Sequence, residues 1–398
     1  MQGTFRAARG ESLASHRPST GSGRPSLSRD ETGEALRGQG ARTDHDLWLN
    51  SDMSPGSIAV TLIVLIAAVC AVAPIPPATV ERVYSMGIYP VVQGVTTTVS
   101  NQVPFALLDV AVGGLLFSAT VILRSRLRAV GLRRALPRAT ITVVGTTALF
   151  YLLFLGMWGL NYRRVPMEQK LDYHSSRLTP EAAIVFASAA ALETNGSYAA
   201  AHGRPLDTRS LGEAFADVQR VLGASRVAVT GVPKRSLLEF YFRRAAIDGM
   251  TDPLFLEIIV NHDVLEFERP FVVAHEWAHL AGYAHEAEAN FVAWLTCIRA
   301  DPPARYSGWL AAYQHGLGPL SRADRGKVKP LDRGPLEDLR AMAARYARSS
   351  PAVRNAAREV YDEYLRANRV AEGIASYDAV VRLMIGTSFD PAWTPRRR

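Results

Sequence analysis

The sequence predicts a membrane protein in which three transmembrane α-helices precede a mainly helical α+β domain. Three observations lead there. Hydrophobic residues fill 48% of the 398 positions and charged residues 21%, with a mean hydropathy of +0.02. That pairing arises when apolar and charged residues are sorted into separate blocks. Three apolar stretches of spanning length lie between residues 57 and 160, and beyond them apolar residues recur mostly at helical spacing, with no alternating strand–helix rhythm.

In chain order, residues 1–52 hold Gly, Ser, Arg and Thr with too few apolar side chains to offset the entropy of ordering. A disordered cytoplasmic tail is expected, with Met53 as an alternative first residue. The long polar run ahead of the first apolar stretch does not read as a signal peptide. Residues 53–160 are expected to form a three-span membrane region. Spans 57–77 (SIAVTLIVLIAAVCAVAPIPP) and 139–160 (ATITVVGTTALFYLLFLGMWGL) are uncharged, and 104–123 (PFALLDVAVGGLLFSATVIL) is broken only by Asp109. Each approaches the roughly 20 residues that cross about 30 Å of hydrocarbon as a helix. A core helix of a soluble protein would show a polar stripe, which the first and third lack. Asp109 lies near the outer end of its span, where an interfacial carboxylate paired with a neighbouring span or a lipid headgroup is expected.

Charge sets the orientation. There are 41 Arg and four Lys against 37 acidic residues, a net +8. Such a balance suggests nucleic acid, yet residues 1–160 carry +5 and the larger remainder only +3, so no basic folded domain is expected. The stretch 124–138 (RSRLRAVGLRRALPR) has six Arg and no acid, whereas 78–103 has only Glu81 and Arg82. The positive-inside rule makes 124–138 a cytoplasmic loop, keeps the amino terminus inside and puts residues 161–398 outside. Arg163 and Arg164 argue weakly the other way. The lipid bilayer is the expected partner; nucleic acid is not.

Within 161–398, TPEAAIVFASAAALE begins with a Thr cap and a Pro at the first helical position. SRVAVTG (225–231) and LFLEIIV (254–260) read as strands, and helices are expected through 286–300, 335–348, 351–369 and 376–385. Two cysteines, Cys70 and Cys297, exclude a disulfide scaffold and a cysteine-only metal cluster. Cys297 lies in an apolar helical stretch, where a buried, inert thiol is expected.

The chemistry is concentrated in PFVVAHEWAHLAGYAHEAEANFVAWLTCI (270–298). His275 and His279 stand four apart, on one helix face, and can direct two imidazole nitrogens at one ion. Glu276 projects to the side, placed to hold and deprotonate a water. This is the HExxH arrangement, in which one Zn2+ lowers the pKa of water and polarises the scissile carbonyl. Apolar FVVA packs the helix, and Gly282 lets the chain turn away after His279. A third ligand leaves one position open, and His285, Glu286 and Glu288 are the candidates. His285 completes HEWAHLAGYAH, similar to the metzincin pattern, but no Met-containing turn follows, since Met342 and Met384 sit in helical patterns. A second helix starting near His285, apolar at 287, 291, 294 and 295, would present Glu288, as in glutamate-type zincins. Glu288 is favoured, with His285 and Glu286 as alternatives. LFLEIIVN is a candidate edge strand for an extended peptide. His262, Tyr364 and Tyr377 are weaker candidates for transition-state hydrogen bonds, with surface or core roles the plainer expectation.

Further segments extend the pattern: VERVYSMGIYP (80–90), VPFALLD (103–109), WGLNYRR (158–164), ERPFVVAHEWAHLAGYAHEAEAN (268–290) and VYDEYLRANRVAEGIASYDAVVRL (360–383). Together, from about residue 78 to 386, they resemble an uncharacterised bacterial polytopic-membrane family, a domain of unknown function with spans before an HExxH zinc-metallopeptidase domain. The resemblance implies a zincin-like fold for 161–398, hydrolytic chemistry and a bacterial inner-membrane location. It matches His275, Glu276, His279 and Glu288 to the family's zincin positions. A basic residue commonly precedes the ExEAN run there, so His285 reads as a variant and not a ligand.

The expected function is a membrane-anchored zinc metallopeptidase acting on a peptide or protein outside the cytoplasm. Zn2+ is held by His275, His279 and Glu288, and Glu276 is general base and then proton donor to the leaving amine. With the motif over a hundred residues past the last span, cleavage is expected outside the bilayer. The alternative is a non-catalytic zincin-like scaffold whose structural zinc supports binding of an envelope partner. Glu276 argues against it, because a structural site needs no base.

Overall fold

The first helix, α1 (Pro55–Val72), opens a computed structural model that describes residues 55–370 and 379–398. The expected tail 1–52, Met53 and Tyr377 lie outside the described residues. After α1 come a short α2 (Pro77–Thr79), a π-helical stretch (Val80–Ile88) and α3 (Tyr89–Asn101), then α4 (Leu107–Met157). Two stretches of α4, Leu107–Ala129 and Ala139–Met157, are long and apolar enough to cross a membrane. Helix α1 with 77–101 forms a third candidate if that pair, bent by 111°, is one span.

Two expectations about this region change. The backbone of 124–138, expected as a loop, is helical within α4. Arg, Leu and Ala are strong helix formers, which favours this over a coil. The second concerns 78–103, which is no exposed loop. Tyr84, Tyr89, Gln93, Thr97 and Ser100 are buried against the folded domain, and Ser54–Arg398 pack as one compact unit. The expected boundary at 160/161 is therefore not a structural boundary.

Helix α4 also doubles back. Its 51 residues would reach about 75 Å if straight. Yet Leu108 N donates to Glu257 at one end, and Trp158 Nε1 donates to the His279 carbonyl just past the other. Glu257 pairs with Asp252 across the sheet, and neighbouring Thr251 bonds the Glu276 carbonyl one turn before His279. That path is no longer than about 40 Å from typical bond and residue spacings, so the two ends cannot belong to a straight rod. The two apolar stretches consequently leave and rejoin the same domain, with the arginine-rich stretch between them in sequence. Helix α1 ends there too: Arg163 donates to the Cys70 carbonyl, and Arg369 to those of Ala71 and Ala73. These guanidinium groups cap orphan carbonyls at a helix C-terminus. Arg164 pairs with Glu81, so structural contacts account for both arginines of the 163–164 pair.

The domain continues through α5 (Met167–Lys170), α6 (Pro180–Ala201) and α7 (Thr208–Val221) to a three-stranded sheet. Thr179 caps α6 by accepting from Ala182 N, with Pro180 at its first position. Strands β1 (Pro233–Lys234), β2 (Gly249–Asp252) and β3 (Glu257–Val260) stand in the order β1-β3-β2, with α8 (Glu239–Ala245) between β1 and β2 in sequence. β3 is thus central, paired on both sides, and cannot serve as the expected edge; the edges are the two-residue β1 and the longer β2. Residues 225–231, expected as a strand, have no strand partner. Gln93 bonds both N and O of Val229, and Asn101 bonds Thr230 O and Val232 N, so two side-chain amides take a strand's place.

Helices α9 (Arg269–Leu280) and α10 (Glu286–Cys297) form the centre of the core, around Trp277, Phe291 and Trp294. Cys297 is buried there and free, as is the partly exposed Cys70. Around them lie α11 (Pro302–Leu317), α12 (Arg322–Arg325), α13 (Arg333–Ala347), α14 (Pro351–Ala367) and α15 (Ala379–Gly386). The fold is mostly helical with one small sheet, as the α+β expectation had it.

A buried ion pair joins sheet to apolar helices. Lys234 Nζ lies 2.6 Å from Glu257 Oε2 and 2.8 Å from the Ser100 carbonyl, and Glu257 Oε1 receives Leu108 N. Breaking a buried pair strands one charge and typically costs about 3–5 kcal/mol. Lys234→Met is expected to destabilise the full chain by that amount in denaturant titrations in micelles. Adding Glu257→Gln, which keeps an acceptor for Leu108 N, should recover at least half. Equal stability of wild type and Lys234→Met would show that the pair is not what holds α4 to the sheet.

Candidate metal centre

Residues 270–280 form a helix because Pro270 occupies its first turn and Val273, Ala274, Trp277 and Leu280 give it a buried face. On the adjoining face His275 Nε2 and His279 Nε2 are 3.1 Å apart. The helix ends at Ala281, and Gly282, at φ +85°, reverses the chain. That conformation favours glycine, and a Cβ there would also press on Asn161 and Tyr89 at 3.0–3.1 Å. Four residues on, α10 begins at Glu286 with its first turn facing the histidines.

The structure brings Glu286, and not the favoured Glu288, to the pair. Glu286 Oε2 is 3.3 Å from His275 Nε2, and Oε1 is 3.6 Å from His279 Nε2. Donor atoms of His275, His279 and Glu286 lie within 4.8 Å of one another, so these three could hold a metal ion. Glu288 points elsewhere. Its Oε1 accepts from Met167 N at 2.7 Å, on the side of Arg164 and Lys170. Positions two apart on a helix face nearly opposite ways, so the phase that presents Glu286 excludes Glu288. His285 is the residue before α10, with its ring edge-on to Tyr162, 5.7 Å between centroids.

Glu276 sits where expected, beside the pair. Its Oε2 accepts from Thr251 Oγ1 at 2.7 Å, and the same hydroxyl also contacts the Glu276 carbonyl. Gly249 on β2 makes room for it, since a Cβ there would lie 2.5 Å from Glu276 Oε1. Burial raises the Glu276 pKa against the downward pull of His275 and His279. For Glu286 burial also acts upward, but the two imidazoles prevail and hold its carboxyl well below the usual range. For His279 burial acts downward, and the Glu286 carboxylate outweighs it, pushing the imidazole up to about 9. The pair is therefore an imidazolium facing a carboxylate, with Nδ1 of His279 bonded to the Tyr283 carbonyl at 2.8 Å. His315 on α11, held neutral to about 4 by burial and by His275, was not singled out in the sequence.

Two further partners carry no motif. Tyr361 on α14 donates to Glu286 Oε1, and Trp158 Nε1 donates to the His279 carbonyl at 2.9 Å. Both lie in segments that carried the resemblance, which gave them no role. Tyr364, a candidate from the sequence, instead stacks on Tyr361 and meets Tyr162 edge-on. His262 is exposed, with a ring nitrogen 2.9 Å from Arg235, and its backbone N bonds Glu239. Asp109 accepts from Ser236 Oγ and Leu237 N, pairing with the domain and not with a span.

Residues 84–385 match the model of a family described as a protein of unknown function (DUF3810), which covers most of the chain, and the chain belongs to that family. No curated protein and no solved structure matches it.

The geometry separates the two carboxylates by experiment. If the cluster is a zinc site, Glu286→Gln is expected to weaken zinc binding by the dialysed full chain by roughly a hundredfold, because it removes one of the three converging donors. Glu288→Gln, which keeps an acceptor for Met167 N, should leave it within about twofold. Chelator competition measures both, and the reverse ranking would restore Glu288 as the ligand.

Proposed function

We propose that this member of the DUF3810 family is a membrane-anchored, zinc-dependent peptidase working outside the cytoplasm, with His275, His279 and Glu286 as ligands and Glu276 as general base. The convergence of those three donors beside Glu276 carries the reading. Two nitrogens each about 2.0–2.1 Å from one tetrahedral ion stand roughly 3.3–3.4 Å apart, close to the spacing of the two Nε2 atoms. The Tyr283 carbonyl on His279 Nδ1 selects the tautomer whose Nε2 faces the cluster once the extra proton has left. Tyr361 orients Glu286 in the same way. Among the described residues His275 Nδ1 and Glu286 Oε2 are buried without a hydrogen bond, Oε2 having only the 3.3 Å contact to His275 Nε2, a costly arrangement that an ion at the cluster would relieve for the carboxylate.

Zinc, when bound, supplies Lewis acidity and lowers the pKa of water. The chain's own part falls to Glu276. Its carboxylate, steadied by Thr251, takes a proton from the attacking water, and its raised pKa lets it keep that proton until the amine leaves.

The substrate reading rests on β2. Asn261 N bonds the Asp248 carbonyl, which sets the antiparallel register so that main-chain groups of Met250 and Asp252 face β3 and those of Gly249 and Thr251 face outward. An extended peptide added there runs past Glu276. The six arginines of 124–138, between the two apolar stretches of α4, support the cytoplasmic side for that segment and the outer side for the domain.

The test compares new N-termini of envelope proteins in cells carrying wild type or Glu276→Gln. A set of extracytoplasmic termini should fall by roughly a hundredfold or more in the variant while zinc stays bound. Unchanged processing with zinc retained would leave only the scaffold role.

A further inference from the structure

The helical stretch 77–101 is amphipathic the wrong way round for a helix packed on a soluble domain. The side turned inward carries Val80, Tyr84 and Tyr89 in its first half but Gln93, Thr97 and Ser100, all at most 1% exposed, in its second. The side turned outward carries Val83, Ile88, Val91, Val95 and Val99, each more than half exposed. A helix in water arranges these types the other way. The stretch also runs at 111° to α1, close to a right angle. If α1 crosses the bilayer near its normal, 77–101 lies close to the membrane plane.

A second patch adjoins it. Leu237 is 89% exposed, and Leu238, Phe240 and Tyr241 beside it are exposed as well. Leu237 N and Ser236 Oγ bond the carboxylate of Asp109, in the first turn of α4. The segment therefore sits at the depth where the first apolar stretch of α4 begins. Exposed Arg235, Arg243 and Arg244 flank it, a charge pattern suited to anionic headgroups. Exposed apolar patches of this kind, continuous with helices of spanning length, mark a membrane-facing surface.

We infer that the outer face of 77–101 and the 236–241 segment, which leads into α8, are seated in the outer interface of the bilayer, holding the His275/His279/Glu286 centre at the membrane surface. The links are direct. Tyr89 OH donates to the Leu280 carbonyl, at the end of the helix that carries both histidines. Met250 of β2 packs in the same small cluster as Leu108 of α4, so the free edge of the sheet runs beside the start of that helix. The distance of the motif from the last span in sequence is not a distance in space. If the peptidase reading holds, on which this part rests, the substrates are juxtamembrane segments of membrane-anchored polypeptides.

The full chain in phosphatidylethanolamine–phosphatidylglycerol vesicles tests the seat without reference to catalysis. Single nitroxide labels go on Val95→Cys, Leu237→Cys and, as a water-facing control, Glu213→Cys, each with Cys70→Ser and the buried Cys297 retained. At 95 and 237 the ratio of oxygen to nickel-chelate accessibility should exceed that at 213 by roughly threefold or more, as expected for labels in lipid. Ratios equal to the control would overturn the seat. So would spin–spin broadening at 95 or 237 that vanishes on dilution with unlabelled chain, because a second copy would then cover the face. The substrate class is read separately: termini lost in Glu276→Gln cells should lie within about 15 residues of a membrane span. Termini scattered far from membranes would overturn the substrate class, and an absence of such termini would overturn the peptidase reading while the labels still report the seat.

Discussion

The carbonyls at the end of the HExxH helix are the point on which the structure turns. A helix C-terminus leaves carbonyls without intrahelical partners, and here segments adjoining the apolar helices supply the donors. Trp158 donates to His279 O, Tyr89 to Leu280 O, and Arg164 to Gly282 O. Arg164 is itself held by both oxygens of Glu81 at 2.9 Å, and its guanidinium lies over the Tyr283 ring. Through these bonds the position of the two imidazoles is set by residues next to the apolar helices. Direct hydrogen bonds thus join the candidate centre to the segments beside the apolar helices, and the Gly282 turn that precedes α10 lies among them.

From that arrangement follows a division of labour among three buried carboxylates. Glu286 faces two imidazoles and stays ionised; Glu276 faces a Thr hydroxyl and the β2 backbone, and burial favours its protonated form. Glu288, equally buried, caps Met167 N beside Arg164 and helps fix the segment that leaves α4. In the proposed reading the same residue type serves as ligand, proton carrier and tether according to what it faces. Such divergence of neighbouring carboxyl environments is what hydrolytic chemistry near neutral pH needs.

How much of this was legible in the sequence depended on whether the signal was local. Helix spacing alone puts His275 and His279 together with Glu276 at the side, and Thr179-Pro180 marks the start of α6. The choice between Glu286 and Glu288 was not local. It hangs on where α10 begins, and that depends on the Gly282 turn being clamped by Asn161 and Tyr89, over a hundred residues away. The sheet edge failed for a similar reason: LFLEIIV is the most strand-like run, and its very apolarity buries it in the centre. Val229 and Thr230 missed a strand partner because Gln93 and Asn101 reached them first, a substitution that composition does not announce. The arginines of 124–138 suggested a loop between spans, whereas the backbone there is helical. The apolar residues of 77–101 were passed over because polar ones alternate with them, and only the fold shows which kind faces out.

The central claim is that His275, His279 and Glu286 share one zinc with a position left for solvent. Zinc K-edge X-ray absorption on the purified full chain tests it most directly. The account predicts one zinc per chain in a four-coordinate shell of nitrogen and oxygen donors at about 2.0–2.2 Å, with multiple scattering from two imidazoles and one oxygen that exchanges with added azide or hydroxamate. A sulfur donor, a third imidazole, a shell closed to exchange or no bound metal would contradict it.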